Sequence, residues 1–111
     1  MKKYLEKILR QKVSIEEEKV LYKELPLSYQ GRYTIYRVGI NGVPWIAMKP
    51  KQKLGLVTMR RDRIKVEKIV QLNCALFLEA ATFYVKEKLL DEGIPFIVQD
   101  KQMYLSFGGY W

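Results

Sequence analysis

Cys74-Ala-Leu-Phe-Leu78 is an unbroken apolar run set between two stretches of helical periodicity. A run that short has no room for a helix and shows no polar alternation. It reads as a strand buried on both faces, and such a strand needs paired neighbours and cover from helices. The flanking sequence supplies them. Val57–Asn73 reads as a helix with Thr58 as candidate N-cap. On its wheel Met59, Val66, Ile69 and Val70 share one arc, and Arg60, Arg61, Lys65 and Lys68 the opposite one. Ala80–Glu92 reads as a second helix. Gly93 offers a left-handed C′ residue, Ile94 the closing apolar contact, and Pro95 a stop. Pro95–Val98 is then another short buried strand, expected parallel to the first through a right-handed crossover.

Upstream, Arg32–Ile40 is rich in Tyr, Thr, Ile and Val and reads as a strand. Asn41-Gly42 follows, and both residues accept the positive φ of a type I′ hairpin turn. Val43–Met48 is the returning strand. Pro44 lacks an amide donor, so this strand belongs at an edge, or Pro44 sits where no ladder bond is needed. Leu25–Gly31, bracketed by Pro26 and Gly31, reads as a loop. Lys12–Leu25 is ambiguous. Ser14 followed by Glu17 has the form of a capping box and favours a helix over Ile15–Tyr22, while Val13 and Ile15 equally suit a short strand. Met1–Gln11 reads as a helix buried through Tyr4, Leu5, Ile8 and Leu9. Met103–Phe107 reads as a final strand. The sum is one α+β domain over residues 1–111. It has a mixed sheet, a β-hairpin, a βαβ unit and a three-layer arrangement.

Composition narrows the chemistry. The 111 residues contain no histidine and one cysteine, so no internal disulfide forms, and no mechanism can use an imidazole as base or ligand. Met1-Lys2-Lys3 leads into an amphipathic segment and not an apolar leader, and no apolar stretch is long enough to span a bilayer. A cytoplasmic domain with no membrane partner is expected. No glycine-rich phosphate loop is present. Cys74 opens a buried strand and reads as a small core hydrophobe with no base partner.

The order of strands and helices resembles the core of the restriction-endonuclease-like fold. Those enzymes hold a divalent metal through an Asp and through a Glu or Asp two residues before a Lys on a strand. Lys49 fits the Lys, but the acid position is Ala47, and Glu79 and Asp100 would be left as the available carboxylates. With a hard-cation ligand missing, the expectation is a chain that is not an enzyme and needs no cofactor.

Two surfaces are candidates for binding. Residues 49–68 hold eight cations against two acids, a net +6 of the chain's +8. Lys49, Lys51, Lys53, Arg60, Arg61, Lys65 and Lys68 would form one polyanion-binding patch if the basic loop 49–55 lies beside the helix. The same charge also serves as a solvated face that maintains solubility. Tyr29, Tyr33, Tyr36 and Trp45 read first as core packing plus surface Tyr; the alternative is a candidate partner surface, which Tyr110 and Trp111 at the end of the chain would join. Bulky aromatics at a terminus suggest that the natural chain continues.

Pro26–Lys49, and above all Gly93-Ile-Pro-Phe-Ile-Val-Gln-Asp-Lys-Gln-Met-Tyr-Leu-Ser-Phe-Gly-Gly-Tyr110, resemble the N-terminal domain of MarR-type winged-helix transcriptional regulators of low-GC Gram-positive bacteria. The resemblance implies a non-catalytic domain acting in regulation, oligomerisation or sensing, ahead of a winged-helix DNA-binding domain. Its implied partners are DNA, through that downstream domain, and a second copy of the chain. No catalytic residue is carried over. No winged helix fits within these 111 residues.

Overall fold

The Asn41-Gly42 turn organises the sheet. In the computed structural model, which describes residues 2–10, 12–99 and 101–105, Asn41 has φ 51° and Gly42 φ 80°. Two successive positive φ values match the twist of the strands they join. These are β2 (Tyr33–Ile40) and β3 (Val43–Pro50), paired antiparallel from Ile40↔Val43 to Tyr33↔Pro50. Around them the order is α1 (Lys2–Leu9), β1 (Val13–Glu17), α2 (Lys19–Tyr22), α3 (Leu27–Arg32), β2, β3, α4 (Leu56–Val70), β4 (Cys74–Leu78), α5 (Phe83–Asp91), β5 (Phe96–Val98) and β6 (Gln102–Tyr104).

Among the described residues, six strands form one sheet in sequence order. β1–β2–β3 is an antiparallel meander, β3–β4–β5 is parallel, and β6 returns antiparallel on β5. The expected mixed α+β sheet, with its hairpin and its βαβ unit, is what forms. All five residues of β4 are buried, as an inner strand covered on both faces must be.

Successive strand residues point to opposite faces, so two cores result. Ile46, Met48, Leu76, Phe96 and Val98 pack on one face with Met59, Val66 and Val70 of α4 and Leu89 of α5. Trp45, Ala47, Ala75, Phe77 and Ile97 pack on the other with Leu5 of α1. α4 and α5 thus share a face while α1 covers the opposite one, giving three layers.

Several local expectations are corrected. Residues 13–17 are strand β1, not the start of a helix, and Ser14 caps nothing. Glu18 is the cap instead: its carboxylate accepts from the amides of Val20 and Leu21 at 3.0 and 3.2 Å. The Leu25–Gly31 loop is largely the short helix α3, with Pro26 at its N-cap position. β3 is an inner strand, so Pro44 is not at an edge. Ile46 N donates toward the β4 side, to Asn73 O at 2.8 Å. Two residues earlier, the Pro44 nitrogen faces that same side before β4 begins at Cys74, where no ladder bond is needed.

The helix expected over Val57–Asn73 runs from Leu56 to Val70, with Gly55 and not Thr58 at its N-cap position, and it ends on left-handed Gln71 (φ 57°). Ile69 and Ile8, expected in apolar stripes, are exposed. α5 begins at Phe83, three residues later than expected, because the Thr82 hydroxyl caps it by accepting from Val85 N. Its end matches the sequence reading in detail. Gly93 has φ 67°, its amide donates to Leu90 O, and Ile94 N donates to Leu89 O. That pair of bonds defines a Schellman motif.

Candidate nucleic-acid interface

α4 takes its orientation from one buried acid. Asp62 lies three residues after Met59 and four before Val66, inside the stripe that faces the sheet, and it is fully buried. Arg32, the last residue of α3, meets it with a two-pronged fork, Nε to Oδ2 at 2.9 Å and Nη2 to Oδ1 at 3.0 Å. The Tyr33 hydroxyl donates to Oδ2 at 2.8 Å. The carboxylate is thereby neutralised and its oxygens are occupied, which a buried charge requires. Burial, and then the hydrogen bond to Asp62, push the Tyr33 phenol far above its ordinary range. The hydrogen bond to Asp62 raises the Arg32 guanidinium further, and Arg32 also lies 4.9 Å from the centroid of the Tyr29 ring.

The other acid of α4 is partly exposed, yet it too is bonded to the fold. Glu67 accepts from Cys74 N at 2.9 Å and from Arg63 Nη1 at 3.1 Å, and Arg63 donates in turn to Cys74 O at 3.2 Å. This ties the last turns of α4 to the first residue of β4. Burial drives the Cys74 thiol up to about 12, with Glu67 adding to the shift, and the residue is fully buried, the environment of a structural cysteine.

With both acids spent, the outer face of α4 is left basic. Arg61, Lys65 and Lys68 are exposed and spaced i, i+4 and i+7, a stripe roughly 10 Å long. Lys65 and Lys68 have no ion pair among the described residues. Arg61 comes only to 4.0 Å of Asp62, whose oxygens Arg32 and Tyr33 already hold.

The rest of the expected patch is dispersed. Arg60 pairs with Glu92, the C-cap residue of α5. Lys49 is on the opposite face of the sheet. Two and four residues after Ala47 and Trp45, it shares their face of β3; its Nζ is 3.4 Å from Glu79 Oε1 and 5.6 Å from the centroid of the Phe77 ring. Lys51 folds onto α2, donating to the Tyr22 hydroxyl at 3.0 Å. Lys53 is exposed in the loop before α4. The single patch from 49 to 68 is therefore replaced by a stripe on α4, with Lys53 preceding it.

Of the two readings of the aromatic cluster, core packing holds for three of the four residues. Tyr29, Tyr33 and Trp45 are core residues, at 8%, 0% and 2% exposure. Tyr36 is half-buried, edge-on to Phe77. Tyr110 and Trp111 lie outside the described residues, as does Asp100.

A second cationic surface lies at α1. Lys2, Lys3 and Lys7 of α1 are exposed, as are Arg10 and Lys12 just beyond it, and none has an ion pair among the described residues. Glu6, the one acid in that stretch, is engaged by the amide of Val13 at 3.3 Å. The signal was present as five cations against one acid in residues 2–12.

Among the described residues, no three His, Cys, Asp or Glu side chains gather where they could hold a metal ion, and no helix is long and apolar enough to cross a membrane. No family model, no curated protein and no solved structure matches the chain.

Proposed function

We propose that this chain is a non-catalytic regulatory domain that binds duplex DNA through the outer face of α4. The observation that carries the reading is the stripe Arg61, Lys65 and Lys68: all three are exposed, Lys65 and Lys68 have no ion pair among the described residues, and Arg61 comes only to 4.0 Å of Asp62. Such a stripe attracts phosphates and releases their counterions, giving affinity that falls with salt. It reads no base edges by itself, so it positions more than it specifies.

The non-catalytic part is supported by β3. Ala47, two residues before Lys49 on the same face, offers no oxygen to a metal, and Glu79 is engaged by Lys49. A relative of nuclease cores that kept the scaffold and lost the ligand set would look like this. The regulatory setting is supported by the likeness of Pro26–Lys49 and Gly93–Tyr110 to MarR-type regulators. In that setting a winged-helix neighbour would read the operator while α4 added affinity and fixed orientation.

The test is fluorescence anisotropy of a labelled duplex of about 20 bp across a salt series, with the wild type and R61E/K65E/K68E. The wild type is expected to bind with a steep salt slope. The triple reversal is expected to weaken binding by about tenfold or more and to flatten the slope by roughly 2 to 3, with an unchanged circular dichroism spectrum. Equal affinity of the two proteins rejects α4 as the interface and leaves its charge a solubility feature.

A further inference from the structure

We infer that the domain has two polyanion-binding faces and bridges two duplexes, one on α4 and one on α1. This inference rests on the DNA-binding reading above. Leu5 of α1 belongs to the core that holds Trp45, Ala47 and Phe77, and Met59 and Val66 of α4 belong to the core that holds Ile46, Met48 and Leu76. Residues adjacent in β3 and β4 thus point to different helices, and the sheet separates α1 from α4. Lys2, Lys3 and Lys7 of α1 and Arg61, Lys65 and Lys68 of α4 are all exposed.

One duplex does not satisfy both faces. Duplex DNA has a persistence length of about 150 bp and does not fold around a body of 36 × 33 × 21 Å. The β1 edge is also closed to it, because Glu16 and Glu17 are exposed there, between the two basic layers. Like charge repels a phosphate chain at that edge. Residues 2–12 carry a net +4, more than the three cations of the α4 stripe, so the second face is not a minor one.

Bridging is read by energy transfer between donor-labelled and acceptor-labelled duplexes mixed with the chain. Transfer is expected to rise to a maximum near one chain per two duplexes and to fade when excess chain saturates each duplex separately. K3E/K7E is expected to abolish transfer while lowering single-duplex affinity by only a few fold. Lys3 and Lys7 are exposed and bond to nothing in the described fold, so the variant should fold. K19E/K23E, with the same charge change on and beside α2, controls for net charge and is expected to retain transfer. Binding of single duplexes with no transfer at any ratio overturns the bridge and leaves the α4 reading intact. Transfer that survives K3E/K7E also overturns it, since bridging would then come from paired chains. Failure to bind any duplex at low salt removes both readings.

Discussion

Arg32 and Asp62, thirty residues apart, close a two-pronged ion pair with both prongs at or below 3.0 Å. The fork joins the end of α3 to the middle of α4, across the first residue of β2. Asp62 is fully buried, and the Arg32 side chain is about a quarter exposed. The pair anchors the buried stripe that Asp62 shares with Met59, Val66 and Val70.

Removing one partner should therefore cost far more than a surface charge. Asp62→Ala strands Arg32 and the Tyr33 hydroxyl, and breaking a buried pair in this way costs about 3–5 kcal/mol. Arg32→Lys keeps the charge but not the fork and should recover only part of the loss. Urea denaturation of the three proteins measures this. A cost for Asp62→Ala under about 1 kcal/mol, the surface range, would mean that α4 is positioned by its apolar contacts alone.

Glu18 gives the fold an acid-sensitive joint. Its carboxylate accepts from Arg37 Nε at 2.8 Å and caps α2 through the Val20 and Leu21 amides. The Arg37 hydrogen bond, with smaller help from the amides, holds its pKa below 4.5 despite an opposing effect of burial. A folded pKa below the unfolded value means stability that is present above the unfolded pKa and lost as pH falls through the folded one. Glu18→Gln should destabilise the domain by about 1 kcal/mol at neutral pH. The gap should close progressively below pH 4.5 as the wild-type carboxylate protonates. Denaturation at pH 7 and near pH 3 tests the sign, and an undiminished gap in acid would assign the effect to shape and not to charge.

The features legible in the sequence are those set by neighbours in the chain. The Asn41-Gly42 turn, the apolar run of β4 and the Gly93-Ile94-Pro95 ending each carry their own geometry. Residues 13–22 do not. Val13 and Ile15 become a strand because β2 offers partners from Ile40 to Tyr36, a long-range pairing that outweighs the Ser14–Glu17 helix signal. Asp62 was legible in part. Its wheel position lies among the apolar residues, which marks an acid either exposed at fault or buried with a partner, but no local rule names Arg32. The basic patch was overdrawn for the same reason. Charge along the chain does not reveal that strand alternation sends Lys49 to the far face, nor that Arg60 finds Glu92.

Two glycines should answer the same substitution with opposite signs. Gly93 sits at φ 67° in the Schellman motif, a conformation that an L side chain adopts at a cost of about 1–2 kcal/mol. Gly93→Ala should destabilise by that order, although only the Tyr104 hydroxyl, at 3.9 Å, would approach the new methyl. Gly31 lies inside α3, where an added Cβ meets nothing within 4 Å. There, alanine restricts the unfolded chain and suits the helix, so Gly31→Ala should stabilise by roughly 0.5–1 kcal/mol. Thermal melts of the two variants beside the wild type give both signs at once. A destabilised Gly31→Ala would mean that α3 needs the freedom of glycine to bring Arg32 onto Asp62, and the fork, not helix propensity, would then set the conformation of that turn.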